Sequence, residues 1–195
     1  LAGRLELRSG LDTLYVGAFA VAAAHFERLA ARDTTDPASV VFQAGAYIWW
    51  AAARDSAEFE RERIDSLLAL AIARARAAPP GGGPTADFWR ATALGYRARE
   101  RELHGQSWGA AKDAKAMRDI YRRFLAADST RVDCYLGLGV YHYGLARASA
   151  LARLFAKIIG LGSGNAETGI RYMRRVAPEG DLAQVILRII NYVLA

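Results

Sequence analysis

Residues 64–72 read Ile64-Asp65-Ser66-Leu67-Leu68-Ala69-Leu70-Ala71-Ile72. Ile64, Leu67, Leu68, Ala71 and Ile72 stand at i, i+3, i+4, i+7 and i+8, the stripe of a helix that buries one face. The same period recurs on both sides. Leu14, Phe19, Ala22, Ala23, Phe26 and Leu29 share a face at helical steps, which predicts one amphipathic helix running through Leu14–Ala24 from Asp12 to Leu29. Residues 33–37 break it, because Pro37 restricts its predecessor and cannot sit inside a helix. A second helix is predicted over about 38–54.

Beyond the stripe, Pro79 to Pro84 with three intervening glycines form the one obvious loop, spanning about 78–86. Further helices are predicted over 87–104 and 108–127, the latter packing Ile120, Tyr121, Phe124 and Leu125 inward. The next runs through Tyr143, with Ser129 or Thr130 as its cap. A short apolar helix covers 151–159, and Gly160-Leu161-Gly162-Ser163-Gly164-Asn165 stops it by left-handed glycines, with Asn165 capping the next helix. Two last helices are predicted over 166–176 and 181–194. The chain contains no alternating run that makes a strand. Its 40 Ala and 5 Pro in 195 residues point the same way. The expectation is an all-α array of eight or nine helices in a single domain, 1–195.

Composition excludes several classes. Hydrophobic residues at 53% and charged residues at 24% rule out global disorder. The net charge is +6, carried by Arg far more than by Lys, since Lys112, Lys115 and Lys157 are the only lysines. No block of like charge is long enough to make a nucleic-acid tail, so no nucleic-acid partner is expected. An acidic partner or an anionic membrane surface suits the charge. Leu14–Ala24 is shorter than the ~20 residues of a transmembrane helix, and Ala38–Ala53 is short too and carries Gln43. Leu1 in place of Met leads to the expectation of a cleaved export signal upstream, and with it a periplasmic or exported location.

No catalytic constellation is visible, so no enzyme is expected. His25, His104 and His142 lie far apart, with no paired ligand at helical spacing, and no metal or cofactor is expected. Cys134 and His142 lie eight residues apart, ~12 Å along a helix, too far for a thiolate–imidazole pair. Cys134 reads as an inert packing residue. The glycines of 160–164 lack the Gly-Lys-Ser/Thr ending of a phosphate loop. The run Glu58-Phe59-Glu60-Arg61-Glu62-Arg63 reads as a solvated helix face with local ion pairs.

Three segments carry part of a repeat signature. Tyr135-Leu136-Gly137-Leu138-Gly139-Val140-Tyr141-His142 has an aromatic followed by Leu-Gly. Ala91-Thr92-Ala93-Leu94-Gly95-Tyr96 keeps the Leu-Gly, and Phe42-Gln43-Ala44-Gly45-Ala46-Tyr47 keeps the Gly. Small residues there let two helices approach closely. The tetratricopeptide (TPR) unit has this signature in a period of about 34 residues, whereas Gly17, Gly45, Gly95 and Gly139 are 28, 50 and 44 apart. The order of segments extends the likeness: Asp12-Thr13-Leu14-Tyr15, Phe19, His25-Phe26 and Leu29–Asp33, then Trp49-Trp50, Ala93–Arg99, Cys134–Tyr143, Gly160–Gly164 and Thr168-Gly169-Ile170. Over nearly its whole length the chain resembles a family of bacterial TPR proteins with degenerate repeats, often made with an export signal. These are distantly similar to a eukaryotic TPR family of the mitochondrial outer membrane. Where that pattern leads one to expect Gly-Asp-Arg, this chain has Gly164-Asn165-Ala166.

The resemblance implies a TPR-like α-solenoid of antiparallel helix pairs and brings no catalytic residues. In such arrays the first helix of each pair lines a concave face. Aligning Gly45, Gly95 and Gly139 turns Phe42, Trp49, Trp50, Trp89, Thr92, Tyr96, Arg99, Leu136, Val140 and Tyr143 toward the groove. The binding candidates are therefore Phe42, Trp49, Trp50, Trp89, Tyr96, Arg99 and Tyr143, because aromatics and Arg anchor recognition surfaces. The expected function is a non-enzymatic scaffold holding a protein or peptide partner, with Arg97 and Arg99 steering acidic groups. The alternative is a membrane-extrinsic subunit, in which helix 151–159 with Arg147, Arg153 and Lys157 rests on an anionic surface.

Overall fold

The structure, a computed structural model, describes residues 3–78 and 83–176. Among these, nine helices and no strand occur: α1 (Arg4–Tyr15), α2 (Phe19–Arg32), α3 (Pro37–Ala53), α4 (Arg61–Ala77), α5 (Gly83–Leu103), α6 (Ser107–Ala127), α7 (Val132–Arg147), α8 (Ala150–Ile158) and α9 (Ala166–Val176). The protein is all-α. The chain divides into two compact units, Leu1–Ala93 and Leu94–Ala195, with the division inside α5. Of the loop predicted over about 78–86, residues 79–82 lie outside the described residues, as does the predicted last helix over 181–194, whereas residues 83–86 belong to the first turn of α5 and correct the loop's end.

Two further sequence expectations are corrected. The single helix through Leu14–Ala24 is two helices, α1 and α2, separated at Val16-Gly17-Ala18. Gly17 takes a left-handed φ of 79°. The Ala18 and Gly17 amides then donate to the Thr13 and Leu14 carbonyls, a Schellman ending that the apolar spacing on either side hides. The second correction is the cap of α7. Its N-cap residue is Arg131, with no side-chain cap. The Thr130 amide and hydroxyl are instead bound by Asp128.

The first unit is tied together at the α2–α3 turn. Asp36 is fully buried and caps α3, accepting from the Ala38 and Ser39 amides and the Ser39 hydroxyl. Pro37 supplies a preset φ at the first helical position. Arg74 of α4 reaches back to donate to the carbonyls of Ala30, Asp33 and Asp36, collecting the exposed acceptors where α2 ends. Helix α3 packs against both α2 and α4, and its face is buried almost continuously from Pro37 to Ile48.

In the second unit α6 packs on α7 and α8, and α7 packs on α9. The α7–α9 crossing is set by two glycines. A Cβ on Gly139 would stand 2.6 Å from Met173 Cγ and 2.9 Å from the Gly169 carbonyl oxygen. One on Gly169 would stand 2.8 Å from the Gly139 carbonyl oxygen. Backbone meets backbone there, as the sequence expectation of a close helix approach at Gly139 requires.

The turn after α8 is pinned from both sides. Gly160, Gly162 and Gly164 all take left-handed φ, and Asn165 Oδ1 accepts from the Thr168 amide at 2.7 Å. The helix stop and cap read from residues 160–165 are thus present, with Asn165 supplying the cap. Arg118 donates to the Gly160 carbonyl, and the Tyr141 hydroxyl to that of Leu161.

Candidate interaction surfaces

The seven predicted groove residues divide between the units, four in Leu1–Ala93 and three in Leu94–Ala195. Phe42 and Trp89 are brought together, but inside the core. Phe42, 3% exposed, stacks on Phe26 at 5.4 Å and meets the edge of Trp89 at 5.1 Å. Neither presents a face to a partner, which corrects their assignment to the groove. Their size makes them the best available filling between helices.

Trp49 and Trp50 are half-buried at the end of α3. Trp50 lies stacked on Tyr47, 6.2 Å between centroids, and edge-on to Phe59 at 5.0 Å. Arg54 sits 4.8 Å from the Phe59 centroid and Arg63 5.2 Å from that of Tyr47. Arg63 also donates to the Tyr47 hydroxyl at 2.9 Å. That bond, with the nearby Glu60 charge, holds the guanidinium pKa above its ordinary value. The result is a platform built on a half-buried pair, Trp50 and Phe59, backed by the buried Tyr47 and bordered by Arg54 and Arg63.

The loop that builds this platform is strained. Asp55 and Glu60 take φ of 48° and 56°, a region that non-glycine residues enter at a cost. Asp55 occupies the position that glycine usually takes at a helix end. The Ser56 and Asp55 amides close the Schellman pattern on the Ala51 and Ala52 carbonyls. Sequence reading missed Phe59, Arg54 and Arg63 because the run 58–63 looks like a continuous charged helix. The local pairs Arg61–Glu58 at 3.1 Å and Arg63–Glu60 at 3.4 Å do form. However, residues 58–60 belong to the loop, and Phe59 folds onto Trp50.

In the second unit Tyr96 is half-buried and Arg99 exposed. Arg99 pairs with the buried Glu100. Arg97 binds Asp113 through Nε and Nη2 at 2.7 and 2.8 Å, and Arg101 shares that buried carboxylate. The steering role expected of Arg97 is therefore corrected, because the buried Asp113 holds it in a two-bond pair, whereas Arg99 keeps about half of its side chain exposed beside Glu100. The pairing of residues on α5 and α6 is invisible to local sequence. Tyr143 is half-buried, and Arg147 donates to its hydroxyl at 2.6 Å while lying 5.0 Å from its ring centre. Of the other residues turned toward the groove by alignment, Leu136 is buried against Met173 and Val176, whereas Val140 is exposed.

The three histidines serve separate local roles. His25 Nε2 bonds the Glu6 carbonyl at 2.9 Å and His104 Nδ1 that of Glu100 at 2.7 Å. Cys134 is buried, and burial pushes its thiol up to about 12, which keeps it protonated and unreactive. Among the described residues no group of three or more metal-ligating side chains gathers, and no helix is long and apolar enough to cross a membrane.

A second exposed patch lies on α8. Ala152 and Ala156 face inward, while Leu151, Leu154 and Ile158 are 50%, 53% and 64% exposed. Phe155 meets the edge of Trp108 on α6 at 5.3 Å. No protein-family model matches the chain, and no curated protein and no solved structure matches it either.

Proposed function

We propose that this chain is a non-enzymatic, TPR-like helical scaffold that holds a protein or peptide segment against the aromatic platform of its first unit. Packing of α1 on α2, α2 on α3, α3 on α4 and α6 on α7, with next-but-one packing of α1 on α3, α6 on α8 and α7 on α9, supports the antiparallel-pair architecture. The observation that carries the functional reading is the half-buried Trp50–Phe59 pair, backed by the buried Tyr47, with Arg54 and Arg63 at its border. Large, stiff rings offer contact area at little entropic cost, and bordering guanidinium groups select acidic segments. Two left-handed non-glycine residues in the one loop between α3 and α4 point the same way. Backbone strain of this kind concentrates where a surface must be held in one shape.

The test is affinity capture followed by titration of the captured partner. Trp50→Ala is expected to weaken binding by about 1–2 kcal/mol. The exposed Glu62→Ala variant is expected to change nothing measurable. Equal affinities for the two variants would overturn the platform as the binding site.

A further inference from the structure

We propose that α8 is an anionic-lipid docking element, which seats the second unit on a membrane surface carrying acidic phospholipid. The assignment rests on three arrangements around one helix. Leu151, Leu154 and Ile158, at i, i+3 and i+7, form an exposed aliphatic stripe. Trp108 borders it on the Phe155 side. Arg153 and Lys157, one turn apart and both exposed, flank the stripe on the opposite side. Lys112, one turn after Trp108 on α6, is exposed as well. An aliphatic stripe between an indole and a row of cations is the pattern of a helix lying in the headgroup plane. Nine residues make a helix of ~13 Å, which fits in that plane and is far too short to span.

The headgroup side has room for a phosphate beside its cations. A concavity of about 310 Å³ opens between α8 and the turn after it, lined by Ala150, Arg153, Leu154, Lys157 and Ser163. Two cations and a hydroxyl border an apolar floor there, next to the stripe. A phosphodiester placed in it leaves its acyl chains over Leu154 and Leu151. Arg153 already gives one donor to the Ala148 carbonyl at 3.1 Å, which orients the guanidinium and leaves its other N–H groups for phosphate. The turn that follows α8 is tied to α6 and α7, because Arg118 and Tyr141 donate to the carbonyls of Gly160 and Leu161. Residues 150–159 include no acidic side chain to repel an anionic surface.

The experiment is co-sedimentation with phosphatidylcholine vesicles that do or do not contain one-third phosphatidylglycerol. The expected result is binding to the acidic vesicles alone, reversed by high salt. Arg153→Gln and Lys157→Gln should each lower the partition coefficient about fivefold. Leu154→Ser should lower it about tenfold or more. These residues are exposed, so an unchanged circular dichroism spectrum and melting curve confirm each variant is folded. The Trp108 emission, taken as the difference between the wild type and Trp108→Phe, should shift to the blue on acidic vesicles. Trp50→Ala should leave vesicle binding unchanged, which separates this proposal from the peptide platform. Equal binding to both vesicle types overturns the proposal. So does binding of inorganic phosphate without vesicle binding, which would make the concavity a site for a soluble anion. Self-association that Leu154→Ser abolishes, without vesicle binding, would assign the stripe to a second copy of the chain and overturn it too.

Discussion

His142 on α7 places its ring between those of Tyr141 and Tyr172, 5.1 and 5.9 Å between centroids. Its Nδ1 is buried with no hydrogen-bond partner. Burial foremost, then the charges of Arg122 and Arg118, hold its pKa below the ordinary 6.5. The unfolded chain thus binds a proton at higher pH than the folded one. The corresponding stability is complete above 6.5 and is lost as pH falls from there toward the depressed folded value. Chemical denaturation across that window should show decreasing stability in the wild type and a flatter profile in His142→Gln. Identical profiles would mean that the imidazole is not held in its neutral form. The sequence shows a histidine two turns after Cys134, but not that its ring is walled by Tyr172 from another helix.

At the scale of elements, two backbone positions control how helices meet. Gly139 lies against Met173 and the Gly169 carbonyl. Gly139→Leu should destabilise the fold by about 1–3 kcal/mol through overpacking, read as a lower urea midpoint. An unchanged midpoint would refute the close α7–α9 approach. The α3–α4 connection is the opposite case, with Glu60 held left-handed at the N-cap of α4. Glycine enters that conformation freely, although its larger unfolded-state entropy offsets part of the relief. Glu60→Gly should therefore stabilise by about 0.5–1 kcal/mol, measured by the same denaturation; a loss of stability would show that Glu60 is not strained. The glycines at 105 and 160 announce left-handed helix ends in the sequence, whereas the apolar spacing on either side hides the one at 17. Asp55 and Glu60 do not, because nothing in their side chains marks a positive φ.

For the molecule as a whole, helix is the expected dominant signal in far-ultraviolet circular dichroism, since the described residues contain nine helices and no strand. A strand-dominated spectrum would overturn the architecture. The second unit gathers most of the charge pairing into α5 and α6, where Arg97 and Arg101 converge on Asp113 and Lys115 and Arg118 on Asp119. Burial alone would raise the Asp119 pKa, but the donors from Lys115 and Arg118 outweigh it and hold the carboxyl below its ordinary value. The net charge of +6 already subtracts the carboxylates and is untouched by this pairing, but the 26 Lys and Arg side chains overstate the cations open to a partner. Those left at a shaped surface include Arg54, beside the rings of the first unit, and Arg153 and Lys157 on α8.

The sequence by itself determined the helical class and most helix boundaries. The α3 start at Asp36-Pro37, the α8 stop at Gly160 and the Asn165 cap are all written within a few consecutive residues, because periodicity, caps and breakers act through local backbone geometry. Tertiary structure alone decided which aromatics face outward. Phe42 and Trp50 lie on one helix with similar composition around them, yet Phe42 is enclosed by Phe26 and Trp89, while Trp50 stays half-open beside Phe59. It also decided which arginines remain available, because Arg97 meets its carboxylate sixteen residues away on the next helix. Exposure, and charge neutralisation of this long-range kind, are properties of contacts between elements, and no local spacing encodes them.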